Sequence, residues 1–181
     1  MKKSLLVLAA IALFFVNNAS AQDGLTASHA VSYSVPKVAL VDVEGGSSIS
    51  LALVAPTEAG LGMVTSATDN SLWLNYSSTT ATSATNTISV KADVALPGMD
   101  LRVLAGANAG SGAGTAGTPT SIVTLSTSDQ LIVNGIGTCY TGNGTSNGHN
   151  LTYSLATNDY SLIKYTATPT VVTVTYTITN N

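Results

Sequence analysis

The fold class follows from residues 170–179, which read Thr-Val-Val-Thr-Val-Thr-Tyr-Thr-Ile-Thr. Large apolar groups alternate with threonine along this stretch. Because successive side chains of a strand point to opposite faces, the apolar set falls on one face. That face consists of Val172, Val174, Tyr176 and Ile178. The pattern predicts a C-terminal β-strand with one buried face.

A second alternating stretch, residues 25–35, reads Leu-Thr-Ala-Ser-His-Ala-Val-Ser-Tyr-Ser-Val. Its odd positions carry the larger, mostly apolar groups, so it is also predicted to be a one-faced strand. Pro36 follows and cannot donate to a sheet ladder, which marks an edge or a break.

Shorter stretches with strand character fill the rest of the chain. They are residues 38–43, 48–54, 71–77, 87–92, 100–105, 120–126, 130–134 and 150–156. Turn residues separate them, including Gly45-Gly46, Pro97-Gly98 and the glycine-rich residues 142–148. No helical period persists over three turns. We therefore predict an all-β fold, a single antiparallel β-sandwich of about eight strands, immunoglobulin-like or jelly-roll-like.

The N-terminus has the layout of a secretory signal peptide. Lys2 and Lys3 precede an apolar run of 12 residues, 5–16, and Ala19-Ser20-Ala21 forms a small-x-small cleavage site. The run is too short to span a bilayer as a stable helix. We predict that residues 1–21 are a signal peptide. Residues 22–47 are then an N-terminal strand segment, and residues 48–181 are the sandwich. The protein is expected to be secreted through a periplasm to the cell surface or beyond, without a transmembrane segment after signal removal.

Charge is sparse in the predicted mature chain. Beyond residue 21, four basic residues stand against nine carboxylates, which gives a net charge of −5. Charged residues are 8% of the chain, against about 25% in an average soluble domain. Such a surface provides no electrostatic footprint for nucleic acid. The hydrophobic content of 45% argues against disorder.

Residues that could carry chemistry are few. Hydrolysis requires an activated nucleophile, paired carboxylates or a metal. The two histidines, His29 and His149, lie far apart in sequence, and Cys139 is the only cysteine. We expect Cys139 to be a small buried strand residue, His29 to sit at the core edge and His149 to start a strand. The sequence predicts no catalytic residue, no metal site and no cofactor, and hence no enzyme.

Weaker alternatives remain open at this stage. A hydrolase would need Cys139 and His149 within hydrogen-bonding reach in an open cleft. Asp42 and Glu44 share a strand face, which favours a solvated strand end over a calcium or acid–base pair. Trp73, between two leucines, is expected to anchor the core.

A secreted carbohydrate- or surface-binding module is the main alternative function. It would place several exposed rings on one face. The candidates are Trp73 and the seven tyrosines, Tyr33, Tyr76, Tyr140, Tyr153, Tyr160, Tyr165 and Tyr176.

Two tracts have a biased composition. Residues 77–86 are nearly all Ser, Thr and Ala, and residues 106–118 are rich in Gly, Ala, Ser and Thr. Both are predicted to be exposed, mobile connections without a part in the core.

The two alternating ends carry the sharper hypothesis. Residues 25–35 and 166–181 contain no Asp, Glu, Lys or Arg. Natural monomers blunt open strand edges with charge, proline or bulges, and only Pro36 does so here. Such strands can add to the sheet of a neighbouring molecule. A head-to-tail contact of this kind propagates into a filament unless it closes. The alternative is that residues 25–35 pair within their own sheet.

These features together resemble bacterial pilin subunits. The chain combines a signal peptide, a single Thr/Val-rich sandwich, an alternating strand after cleavage and a C-terminal Thr-Val-Thr-Tyr-Thr-Ile strand. It is similar in this respect to chaperone–usher and spore-coat-U-like pilins and to pilin-like exported proteins of Bacteroidota.

The resemblance implies a structural subunit of a surface fibre, assembled by donor-strand exchange. Its partners would be further copies of itself and an export or assembly machinery in the periplasm or outer membrane. The inward plugs of the donor strand would be Leu25, Ala27, Val31, Tyr33 and Val35.

Overall fold

A computed structural model describes residues 24–181. The predicted signal peptide lies outside the described residues. The chain divides into two compact units, Met1–Ser34 and Val35–Asn181. In the first unit, the described residues 24–34 form neither helix nor strand, and their side chains are exposed. The second unit contains all strands of the described chain.

Seven strands of the described chain have five or more residues, and six have two. The long strands are β1 (Ala39–Glu44), β4 (Asp69–Ser78), β5 (Asn86–Ala92), β6 (Met99–Ala109), β10 (Gln130–Ile136), β12 (Gly148–Thr157) and β13 (Val174–Ile178). The short ones are β2 (Leu53–Val54), β3 (Val64–Thr65), β7 (Ala113–Gly114), β8 (Thr118–Pro119), β9 (Val123–Thr124) and β11 (Cys139–Tyr140). One 3₁₀ turn, Tyr160–Leu162, lies between β12 and β13.

Two antiparallel sheets form the sandwich. The first sheet has the order β7-β11-β4-β12-β6-β9, and β1 pairs with β4 outside this path. Although β4 stands between β11 and β12 in this order, both pair with the same side of β4, each with a different part of it. β1 pairs with the other side of β4 and therefore forms a sheet edge. The second sheet has the order β13-β5-β10-β8, so β13 is also an edge. The prediction of an all-β antiparallel sandwich is confirmed.

The core lies between the two sheets and is built by strand alternation. On β4, Leu72, Leu74 and Tyr76 are buried, and on β5 Ile88, Val90 and Ala92 alternate with partly exposed residues. The other sheet-lining core residues include Val103, Ile132, Val133, Ile136, Leu151 and Tyr153. Full burial of each large side chain stabilises the fold by about 1.5–3 kcal/mol. All of these residues belong to the second unit.

Several predicted strands differ from the observed ones. Of residues 48–54 only Leu53 and Val54 form a ladder, and of residues 120–126 only Val123 and Thr124. The predicted strand at residues 25–35 is absent from the ladders, which begin at Ala39. The sandwich therefore starts with β1 and not at residue 48. A strand requires a partner edge, and alternation alone does not supply one.

The two tracts of biased composition take part in the sheets and the core, contrary to the prediction that they are only exposed connections. Within residues 106–118, β7 and β8 extend the sheets, and Ala116 packs against the core. Gly114 has φ +87° and lies so close to the Thr138 backbone that a side chain would collide. Ser78 and Asn86, in the other tract, are buried and hydrogen-bonded to each other. Small residues allow these close approaches.

The search for membrane-spanning helices covers residues 24–181. No helix there has the length and apolar character needed to cross a bilayer.

Candidate assembly site

The start of β1 and the end of β13 lie at the same end of the sandwich. Lys37 Nζ donates a hydrogen bond to the Asn180 carbonyl at 2.7 Å. We call this the proximal end. The opposite end, where β1 finishes at Glu44 and β13 begins at Val174, is the distal end. The two edge strands therefore run in opposite directions along the same side of the sandwich.

A shallow groove of about 260 Å³ lies between these two edge strands. Its lining residues are Val41, Asp42, Val43, Val174, Thr175 and Tyr176. The valines and the tyrosine are partly buried and pack against the core. The groove is the lateral opening of the sandwich, where neither sheet has a further strand among the described residues.

Within the described part of the chain no strand pairs with the outer edge of β13, so this edge presents unpaired backbone groups. Thr179 N–H donates to Thr87, and the Thr173 carbonyl accepts from Asp93, so the threonines bond to the β5 side. In an antiparallel pair the intervening residues direct their N–H and C=O groups away from the partner. These are Val174, Tyr176 and Ile178, which also face the core with their side chains. Residues 165–181 contain no charged side chain.

The free edge of β1 is guarded. Thr79 N–H donates to the Val38 carbonyl, which sets the even residues of β1 toward β4 and the odd ones toward the open edge. The outward Val43 N–H is already bonded to Asp42 Oδ1 at 2.8 Å. Asp42 and Glu44 add negative charge along this edge, a common protection against strand addition.

The predicted plugs of residues 25–35 are all solvent-exposed in the single chain. Val31 is 77% exposed and Tyr33 is 89% exposed, and Leu25 and Val35 are exposed as well. The expected core-edge position of His29 is wrong, because His29 is exposed. An uncharged, alternating segment with its apolar face in water has the properties of a strand without a partner.

His149 lies in a buried polar network that the sequence did not reveal. Its Nδ1 lies 2.7 Å from the Gly106 carbonyl and its Nε2 lies 2.7 Å from the Tyr76 hydroxyl, which also bonds the Ala116 carbonyl. The two rings stack with centroids 5.6 Å apart. Burial lowers the pKa of His149 and raises the pKa of Tyr76. The network links β4, β6, β12 and the tract around Ala116.

The pairing required for a thiol hydrolase is not formed. Both ring nitrogens of His149 already have partners, and the ring is fully buried. Cys139 is buried and unbridged in β11, as predicted, and burial raises the pKa of its thiol. The structure therefore offers no open cleft with an activated thiolate at Cys139.

The tyrosines of the sandwich lie in different surroundings. Tyr76 and Tyr153 are core residues, and the Tyr153 and Tyr176 hydroxyls lie 2.7 Å apart. The exposed rings of Tyr140 and Tyr160 lie at opposite ends of the sandwich.

Trp73 does not anchor the core, contrary to the prediction. It is partly exposed and points away from its buried neighbours Leu72 and Leu74. Strand alternation itself accounts for this, since adjacent residues face opposite sides.

Candidate metal ligands are also scattered. Among residues 24–181, no three His, Cys, Asp or Glu side chains are grouped so that they could hold a metal ion.

Sequence analysis missed one role of Asp42 at the assembly site. Asp42 is exposed near the end of β1, as predicted, and its carboxylate also accepts a hydrogen bond from the outward Val43 N–H. No local sequence signal identifies this role, because it depends on β1 being an edge strand whose odd-numbered N–H groups point outward.

Comparisons of this chain with family models, with curated proteins and with solved structures yield no match.

Proposed function

We propose that this protein is the structural subunit of an extracellular surface fibre, assembled by insertion of residues 25–35 into the groove of the next subunit. One observation carries the proposal. The chain has an uncharged alternating segment with its apolar face in water, together with an uncharged, unguarded strand edge at β13. The β13 edge offers backbone hydrogen-bond partners to the segment, and pairing of the two covers the apolar side chains of the segment.

The direction of insertion decides the kind of assembly. Residues 25–35 lead into β1, which begins at the proximal end. If the donor segment enters a neighbour through the distal end, it runs antiparallel to the neighbour's β13, and each copy continues the chain. If it enters through the proximal end, two proximal ends face each other, and a closed reciprocal dimer results. In that dimer the donor would be antiparallel to β1 instead.

The chemistry of the two edges favours the filament. A donor on β1 would have to displace the Asp42 carboxylate from the Val43 N–H and lie beside Glu44. A donor on β13 meets backbone groups that no side chain caps, and the Asp42 carboxylate that lines the same groove stays bonded to the β1 edge. Antiparallel pairing along β13 is therefore the less costly choice.

The lengths and side chains also agree. With Val35 placed opposite Val174, Tyr33 falls opposite Tyr176 and Val31 opposite Ile178. Each pair brings two inward-facing apolar residues together across the new ladder. Burial of the donor's three side chains contributes on the order of 1.5–3 kcal/mol for each, before the cost of ordering the segment.

The remaining parts of the proposal follow from the role as a fibre subunit. The protein acts outside the cell or on its surface, is delivered by an export or assembly machinery, and performs no catalysis. Its sparse charge and hydroxyl-rich surface suit repeated contact between copies.

Truncation tests the proposal directly. We expect a chain of residues 22–181 to form polymers on electron micrographs and in sedimentation. A chain that starts at Pro36 should remain a folded monomer, because the whole core belongs to the second unit. A synthetic peptide of residues 24–36 should bind this monomer.

Cysteine pairs define the acceptor edge. With Cys139→Ala as background, Ser34→Cys should form an intersubunit disulfide with Thr175→Cys but not with Asp42→Cys. A full-length mature chain that stays monomeric at high concentration, with no binding of the peptide, would refute the proposal. Closed dimers cross-linked at Asp42→Cys would refute the filament.

A further inference from the structure

A set of exposed apolar side chains lies on two segments that meet at the distal end of the sandwich. Its members are Leu61, Val64, Tyr160 and Leu162, and we call it the distal patch. Tyr160 and Leu162 belong to the connection between the distal ends of β12 and β13. The Met63 N–H donates to the Tyr160 hydroxyl at 3.2 Å, which holds the segment around Leu61 and Val64 against the 3₁₀ turn.

The side chains of the patch are exposed, and the one basic group bonded beside them is Lys164, which donates to the Ser161 carbonyl at 3.0 Å. Leu61, Val64, Tyr160 and Leu162 are each at least half exposed. Asp159, the nearest carboxylate in sequence, is bonded to the Ser161 N–H and hydroxyl. Exposed apolar clusters of this kind are typical of contact surfaces.

The length of the connecting chain identifies the occupant. Val35 is the last plug of the donor segment, while Val38 is fixed in its own subunit by two hydrogen bonds with Thr79. Three residues span at most about 10 Å. A donor that enters through the distal end of the acceptor therefore brings its own proximal end directly against the acceptor's distal end.

The loops at the proximal end suit an apolar partner, and the charged Lys37 at the same end is bonded to the Asn180 carbonyl. These loops, residues 79–85, 110–117 and 137–147, contain no Asp, Glu, Lys or Arg. They consist mainly of Gly, Ala, Ser and Thr, and the exposed Tyr140 belongs to the last of them. Small uncharged residues permit close backbone approach to leucine and tyrosine side chains without burial of an unpaired charge.

We infer that the distal patch is the end-to-end contact of the fibre and receives the proximal loops of the preceding copy of this chain. This inference rests on the proposed strand exchange. The groove along β13 binds the donor segment, whereas the patch fixes the angle between successive subunits and excludes water from the junction.

Site-specific labelling tests the contact. In a Cys139→Ala background, Leu162→Cys and Leu104→Cys are compared. Leu104 is 38% exposed on the outer face of the first sheet, and Leu162 is 50% exposed. We expect maleimide to label Leu162→Cys at least tenfold more slowly in the polymer than in the monomer that starts at Pro36. The rate at Leu104→Cys should change less than twofold.

A charge variant gives a second readout. Leu162→Glu should shorten polymers several-fold relative to Leu104→Glu, while the peptide of residues 24–36 still binds the Pro36 monomer that carries Leu162→Glu. Polymers in which Leu162→Cys labels as fast as in the monomer would overturn the inference and leave strand exchange standing. Absence of both polymer and peptide binding would instead overturn the proposed function.

Discussion

Residues 25–35 and 172–178 share one sequence pattern and lie in opposite surroundings. In both, large apolar groups alternate with small or hydroxylated ones. In residues 172–178, the strand that contains Val174, Tyr176 and Ile178 pairs with β5, and these three side chains pack against the core. Along 25–35, Val31 and Tyr33 are exposed. The difference lies in the partner, because β13 has a neighbouring strand in its own chain.

The comparison shows what an alternating segment specifies. Alternation fixes which side chains share a face, but a neighbouring edge decides whether that face is buried. The β13 edge satisfies one side of its own backbone and leaves the other side open. Among residues 24–181, residues 25–35 and the outer edge of β13 each lack a strand partner, which is the basis of the proposed fibre.

Two matched valines should show the largest difference. In the chain that starts at Pro36, Val174→Asp is expected to lower the free energy of unfolding by about 2–4 kcal/mol, because a carboxylate replaces a core-facing methyl pair. In the full mature chain, Val31→Asp should abolish polymers. The resulting monomer should have the same unfolding midpoint as the chain that starts at Pro36. Urea denaturation and sedimentation measure the two effects. Equal destabilisation by both substitutions would break the comparison.

Substitution of the two histidines should have different effects on how the free energy of unfolding depends on pH. Burial lowers the pKa of His149 in the folded state, so this ring contributes stability above the pKa of the unfolded chain, about 6.5. As the pH falls below 6.5, the unfolded state takes up a proton that the folded state does not. Stability should then fall by at most about 1.4 kcal/mol per pH unit, until the pH passes the folded pKa.

The window from pH 6.5 to 5 isolates this effect from the carboxylates. Hydrogen bonds from Ser71 hold the pKa of Asp69 below its usual range, and contacts with Arg102 and Ser161 do the same for Asp100 and Asp159. In a Val31→Asp background, His29→Gln should retain the acid response and His149→Gln should lose it. If His149→Gln does not fold, the ring signals of His149 in NMR titration give the same answer. Retention of the response in a folded His149→Gln chain would contradict the assignment.

The sequence predicted the sandwich because most strands alternate clearly over at least five residues. Asn86–Ala92 begins one residue before its predicted start, and Val174–Ile178 begins four residues after its predicted start and ends one residue before its predicted end. The network at His149 could not be predicted, since Tyr76 and Gly106 reach it only through the fold. The distal patch likewise depends on a contact between Met63 and Tyr160, 97 residues apart.

Residues 25–35 show a different limit. Their alternating face was predicted, but whether they join their own sheet depends on the edges that the rest of the chain leaves open. The guard at Asp42 and the free edge at β13 are properties of sheet order and ladder phase. Neither is encoded in the local pattern, since both depend on which strand takes the other side of β4 or β5.

The two tyrosines at equivalent positions should give the smallest effect. The Tyr176 hydroxyl lies 2.7 Å from that of buried Tyr153, and burial raises the pKa of both groups. Tyr176→Phe leaves the Tyr153 hydroxyl without this partner and should lower the free energy of unfolding by about 1 kcal/mol. In a Val31→Asp background, Tyr33→Phe should have no measurable effect, because the Tyr33 ring is exposed. A double variant with Tyr153→Phe should recover part of the loss, since neither hydroxyl is then left unpaired. Equal urea midpoints for Tyr176→Phe and Tyr33→Phe would show that β13 is held to the core by its valines and isoleucine alone.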